Sequence, residues 1–143
     1  MKRTAKIAIG VGAALVLMQF VILPHDNPPV TAEVQAPDDV KAVLHRACWD
    51  CHSNQTVWPW YSRVAPVSFL VYRDVVEGRK HLNFSEWDKL NDKRRAHKQK
   101  EVGEQVQEGE MPPWFYTPMH PDAKLSDADK ALLEKWAEGS ASE

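Results

Sequence analysis

Cysteine is scarce in this 143-residue chain: there are two, Cys48 and Cys51. Two thiols close at most one bridge, and at this spacing its loop would be too small to remove much unfolded-state entropy, so a disulfide would be a poor staple for the fold. No run alternates apolar and polar residues over strand length, which removes sheet architectures and leaves an all-α domain. No internal repeat is visible, nor a hydrolase nucleophile elbow, a phosphate-cradling glycine loop or a two-histidine zinc helix. A basic surplus is missing too. The net charge is −2, and with Lys2, Arg3 and Lys6 set aside, fifteen basic side chains face twenty acidic ones, a balance of −5. Nucleic acid is therefore not expected as a partner.

Polar residues are nearly absent from Ile7 to Leu23, where Gln19 stands alone among apolar neighbours after the basic start MKRTAK. Residues 1–23 read as a signal anchor or transmembrane helix, although about 26 Å of helix is near the lower limit for a bilayer. A cleaved leader is the alternative, with Ala32 and Ala36 as the first small-residue sites. The basic residues hold the N-terminus on the cytoplasmic side, so the domain is expected in the periplasm or at the cell exterior, anchored to the inner membrane. Residues 24–36, PHDNPPVTAEVQA, read as a semi-extended proline-rich tether.

The remaining chain, with 37–139 as the domain and 140–143 as a tail, carries helical periodicity. Pro37, Asp38 and Asp39 open a helix whose inner face is Val40, Val43, Leu44 and Ala47. A second runs from Val67 to Gly78 with Val67, Leu70, Val71 and Val75 inward. Ser85 with Asp88 predicts a third, carrying Trp87 and Leu90. Asn91 or Asp92 caps a fourth, whose face of Ala96, Gln99, Val102, Gly103 and Val106 is small enough for another backbone or a flat ligand to come close. Ser126 with Asp129 opens the last, ending at Gly139. Between the fourth and last helices, GEMPPWFYTPMHPDAKL has four prolines and reads as a structured loop.

Both cysteines fall in CWDCHS, residues 48–53. A thioredoxin-like pair would follow a strand, and no strand is predicted; a zinc site would need a remote fourth ligand. The pattern C-x-x-C-H is that of covalent haem attachment, in which each thiol adds to one porphyrin vinyl group and His52 presents its imidazole to the iron. A large flat apolar ligand also gives the six tryptophans a role. Trp49, Trp58, Trp60, Trp114 and Trp136 are candidates to surround it, and Trp58, Trp60, Tyr61 and Trp114 are the expected contacts. For the iron's other face, Met111 leads, because it follows the helix terminator Gly109 and precedes Pro112 and Pro113. Met119, His120, His97 and His81 are the other candidates. His45 and His81 otherwise read as surface histidines, and His120 as a loop-locking donor. Lys93, Arg94, Arg95, Lys98 and Lys100 form a solvated helix face or a dock for an acidic redox partner.

The stretches CWDCHSNQTVWPWYSRVAPVSFLV, GRKHLNFSEW and GEMPPWFYTPMHPDAKLS resemble the bacterial haem-binding domain family of small cytochrome-c-like proteins, over roughly residues 37–139. The resemblance implies a mono-haem all-α domain with Cys48 and Cys51 as thioether anchors, His52 as proximal ligand and, through Met111 and Pro112, a matching distal strap. The expected protein is a membrane-tethered c-type cytochrome with one haem c, passing single electrons to partner proteins without transforming a substrate. The alternatives are a haem-based sensor or peroxidase-like site, or a non-haem thiol or zinc module.

Overall fold

The computed structural model describes residues 2–139, so the tail expected at 140–143 lies outside the described residues. Six α-helices run through it: α1 Arg3–Met18, α2 Asp38–Ala47, α3 Trp49–His52, α4 Val67–His81, α5 Asp92–Gln107 and α6 Asp127–Gly139. No strand occurs among the described residues, where β-type pairing is confined to an isolated parallel bridge between Ala32 and Glu86. The all-α expectation holds.

The core forms where the amphipathic faces meet. Val40, Val43 and Leu44 of α2, Trp49 of α3, Val102 and Val106 of α5 and Leu133 of α6 close around Phe84 and Trp87. Burying such side chains contributes about 1.5–3 kcal/mol each. Helices α5 and α6 pair antiparallel: Gln107 reaches Glu134 at 2.9 Å, while a Cβ on Gly103 would meet that of Ala137 at 2.8 Å. The predicted small-residue face of α5 thus receives a helix. Two of the three predicted side-chain caps form. The Asn91 side chain accepts from the Arg94 N–H at 3.0 Å, and Ser126 and Asp129 exchange bonds at 2.8 and 3.2 Å.

Four expectations need correction. The N-terminal helix stops at Met18 rather than Leu23, because Gln19 bonds back to the Leu15 carbonyl at 2.8 Å and across to the Ala65 backbone at 3.0 and 3.1 Å. No helix among the described residues is long and apolar enough to cross a membrane, so α1 alone does not support the expected span. Residues 24–36 are extended but do not stand off as a tether. Val34 is 1% exposed and its N–H bonds to Phe84 O at 2.9 Å, while Thr31 and Ala32 bond to Ser85 O. Arg79 clamps the same segment through Asp26 O and Asn27 Oδ1, both at 2.9 Å.

The predicted third helix is only a single 3-10 turn, Trp87–Lys89. Ser85 does not cap it: the residue is fully buried, and its hydroxyl accepts from the Asn54 N–H at 3.0 Å. Finally, α4 continues past Gly78 to His81. Gly78 is not a terminator but a point of close approach, since a Cβ there would sit 2.5 Å from the Cys51 carbonyl oxygen. The expected inner face of α4 is also only half realised, with Val75 buried but Val67 and Leu70 exposed.

Candidate functional site

The contact at Gly78 seats α3 against α4 and turns the CWDCH segment toward a cavity of about 610 Å³, within the usual range for small-molecule sites. One side is formed by Cys48, Cys51, His52, Gly78, Leu82 and Phe84, the facing wall by Val102 and Val106 of α5, and the mouth by Met111, Pro112, Pro113, Phe115 and Tyr116.

The imidazole of His52 is held through one nitrogen. Nδ1 lies 3.0 Å from both the Gly78 and Leu82 carbonyl oxygens. Two acceptors require the proton on Nδ1, and among the described residues no hydrogen bond engages Nε2. Burial pushes the ring below its ordinary pKa, outweighing the two carbonyl bonds that favour the charged form. A neutral ring with a carbonyl-anchored N–H and a free second nitrogen is the arrangement that metal-ligating histidines adopt. The backbone reinforces it: Phe84 N–H bonds to His52 O at 2.8 Å.

Both thiols are unpaired and half-buried at the same cavity. Burial, followed by mutual repulsion with Cys51, pushes Cys48 up to about 12; burial, with Asp50 and Asp74 adding to it, does the same to Cys51. These are protonated thiols. Reactive redox cysteines are instead held below the ordinary value, so the burial of these thiols gives thioredoxin-like chemistry no support. No group of three or more His, Cys, Asp or Glu among the described residues is arranged around a metal ion, and a zinc module has no ligand set there.

The strap from Met111 to His120 crosses the mouth. Helix α5 ends just before Gly109, whose φ of +76° reverses the chain, and Glu110 and Met111 N–H groups bond to Gln105 O at 3.0 and 3.2 Å. Met111 follows at the rim, 37% exposed. The strap is fastened to the attachment segment by one side-chain bond, Tyr116 OH donating to Asp50 Oδ2 at 3.0 Å. Burial and the Asp50 carboxylate raise the Tyr116 hydroxyl above its ordinary pKa, keeping it a donor. His120 stacks on the Tyr116 ring at 4.1 Å and hydrogen bonds the Tyr61 hydroxyl, the loop-locking role expected of it.

Of the expected site residues, the fold brings together Cys48, Cys51, His52 and Met111, and His81 of the other distal candidates lines the same cavity, whereas His97, Met119 and His120 do not. The aromatic contacts are otherwise. Trp58 packs on His25 at 4.4 Å, Trp60 is 72% exposed and Trp114 is 83% exposed, and Tyr61 serves the His120 bond; none of the four lines the cavity. Trp49 and Trp136 belong to the core and its margin. The aromatic wall is Phe84, Phe115 and Tyr116. Phe84 could have been found as the aromatic residue between Leu82 and Trp87 in HLNFSEW. Phe115 and Tyr116 were hidden beside the more conspicuous Trp114.

Compared with known families, residues 13–139 match the haem-binding domain. The chain belongs to the haem-binding domain family. No curated protein and no solved structure matches it. The match begins inside α1 and includes residues 24–36, in keeping with their integration into the fold. The residues at the cavity fit a haem: an apolar slot, an imidazole nitrogen left free by a carbonyl-bound partner, and two thiols on one wall.

Proposed function

We infer that this haem-binding domain carries a single covalent haem c and passes single electrons, and that it does not transform a substrate. The observation carrying this reading is the convergence of both thiols and the Nδ1-locked imidazole on one apolar cavity. Cys48 and Cys51 would hold the group by thioethers, and His52 Nε2 and the Met111 sulfur would be the donors to its iron. When bound, the haem supplies one-electron redox chemistry, and a methionine–histidine donor pair would raise its potential. The chain fixes the imidazole's orientation through the Gly78 and Leu82 carbonyls and excludes water with Phe84, Val102 and Val106. It also presents sulfur from the strap.

Anchoring of the domain to the periplasmic side of the inner membrane through the N-terminal apolar segment is part of the same reading, supported by the exposure of that segment. The partner is a redox protein. On α5 the ion pairs Lys98–Glu101 and Lys100–Glu104, at 2.6 and 3.4 Å, favour a largely self-neutralised face. Exposed Lys93 and Arg94 remain as a dock, and its use predicts electron exchange that slows with added salt.

Expression with a haem-maturation system followed by intact mass measurement tests the reading: one haem is expected to persist on the denatured chain. The bare chain mass would overturn it. In the oxidised protein, Met111→Ala is expected to remove the sulfur-to-iron charge-transfer band; loss of the band only in Met119→Ala would transfer the ligand role to Met119. The rim position of Met111 favours a second reading, a sensor or peroxidase-like site whose sulfur is displaced. Carbon monoxide binding to the ferrous protein separates the two, since a tight six-coordinate carrier resists it.

A further inference from the structure

The apolar helix α1 has no buried residue, and the chain remains apolar and uncovered beyond it: Phe20 is 77% and Ile22 92% exposed. At 16 residues it reaches about 24 Å, some 6 Å less than a hydrocarbon core of about 30 Å. Nor is the next segment free to extend the reach. Gln19 is bonded on both sides to Ala65, N–H to Oε1 at 3.1 Å and Nε2 to O at 3.0 Å, and His25 Nε2 lies 3.2 Å from Ser62 O. Met18, Gln19, Val21, Ile22 and Leu23 line a common groove with Ser62, Ala65 and Ser68. The domain therefore begins within one or two residues of the helix end.

The surface next to that junction is unusually apolar. Trp60, at the start of the turn Trp60–Arg63, projects into solvent; Val64 and Val67 flank the Ala65 contact; and Leu70, one turn along α4 from Val67, is exposed with them. Helical periodicity assigns Val67 and Leu70 to the interior, yet they face outward beside an apolar helix that is itself uncovered. An indole beside aliphatic residues at the end of such a helix has the composition of a membrane-interface belt.

We propose that the domain lies on the lipid bilayer through Phe20, Ile22, Trp60, Val64, Val67 and Leu70, this face entering the headgroup and upper acyl region together with α1. The short helix and the rigid junction carry it: a helix about 6 Å shorter than the hydrocarbon core pulls the face bonded to its end toward the lipid. This rests on the membrane part of the function inferred above and is independent of the haem.

The test uses the full chain reconstituted into phosphatidylethanolamine and phosphatidylglycerol vesicles carrying a trace of lipid with a photoactivatable diazirine high on the acyl chain, with adducts mapped by peptide mass spectrometry. Adducts are expected on α1 and on the stretch 60–70. Replacing Gln19 by Ala is expected to lower labelling of 60–70 several-fold while α1 labelling persists, and W60E with V67E to do the same without loss of folding as judged by circular dichroism. Labelling confined to α1 in the wild type would overturn the docked face and leave the anchor standing. A chain that fails to co-sediment with the vesicles would overturn the anchor and the docked face together. If instead the face is covered by a second copy, cross-links between chains would replace the lipid adducts, again overturning the proposal.

Discussion

The two sides of the cavity are built differently. On the attachment side, His52 is fixed by its ring through two carbonyls, by its backbone to Phe84, and by helices pressed together at Gly78 until no Cβ fits. On the strap side, Met111 is half-exposed and its loop is fastened to the attachment segment by one tyrosine–carboxylate bond. The contrast teaches where the domain is over-determined and where it can yield: a ligand held by several independent contacts keeps its geometry when one is lost, whereas a ligand on a strap depends on each fastening. Local opening free energies follow such differences in burial and bonding.

The largest effect should come from the attachment residues themselves. The double substitution Cys48→Ser with Cys51→Ser is expected to abolish haem retained after denaturation, read by a haem stain on a denaturing gel, while helical content measured by circular dichroism is kept. Retention of covalent haem would break the assignment of the rigid side. Next, Gly78→Ala forces a Cβ into the Cys51 carbonyl. Overpacking of this kind costs about 1–3 kcal/mol, expected as a lower melting temperature together with a disturbed His52 environment. An unchanged melt would mean that the α3–α4 contact relaxes freely.

A smaller and more local effect is expected of Tyr116→Phe, which removes the strap's bond to Asp50. A hydrogen bond to a carboxylate contributes about 1.5–3 kcal/mol net, so amide exchange in residues 111–120 should quicken by about tenfold or more, with little change in α3 or α4. Uniform quickening across both regions would erase the contrast between them. The smallest effect concerns neither wall. Arg46 and Ser126 hold the Asp129 carboxyl down to about 2 from 3.8. A lowered folded-state pKa contributes stability that is present above the unfolded value and lost as pH falls through the folded one. Stability should therefore decline between about pH 4 and pH 2 on this account, and Arg46→Ala should flatten that slope in acid unfolding.

Much of this arrangement can be read along the chain, because its causes are local. The caps at Asn91 and Ser126 and the valine spacing of α2 and α5 involve residues one to four positions apart, and they appear where periodicity puts them. The cysteines and histidine of the cavity wall are legible for the same reason, since CWDCH places two thiols and an imidazole within five residues, at and along one short helix. Ser85 with Asp88 has the same local form, but Asn54 claims the serine hydroxyl and the Thr31 hydroxyl bonds Asp88 at 2.6 Å. Long-range partners outbid the cap, and the helix does not form.

By itself the sequence determined the helical class, the caps and the chemistry of residues 48–52, all consequences of short-range spacing and side-chain type. Only the tertiary structure decided that Phe84, Phe115 and Tyr116 rather than the tryptophans wall the cavity, that Gly78 admits a carbonyl instead of ending a helix, and that residues 24–36 belong to the domain. Each of these depends on which distant surfaces meet, and apolar burial is non-directional: composition tells how much surface must be hidden, whereas the meeting of chain segments tells which residue hides it.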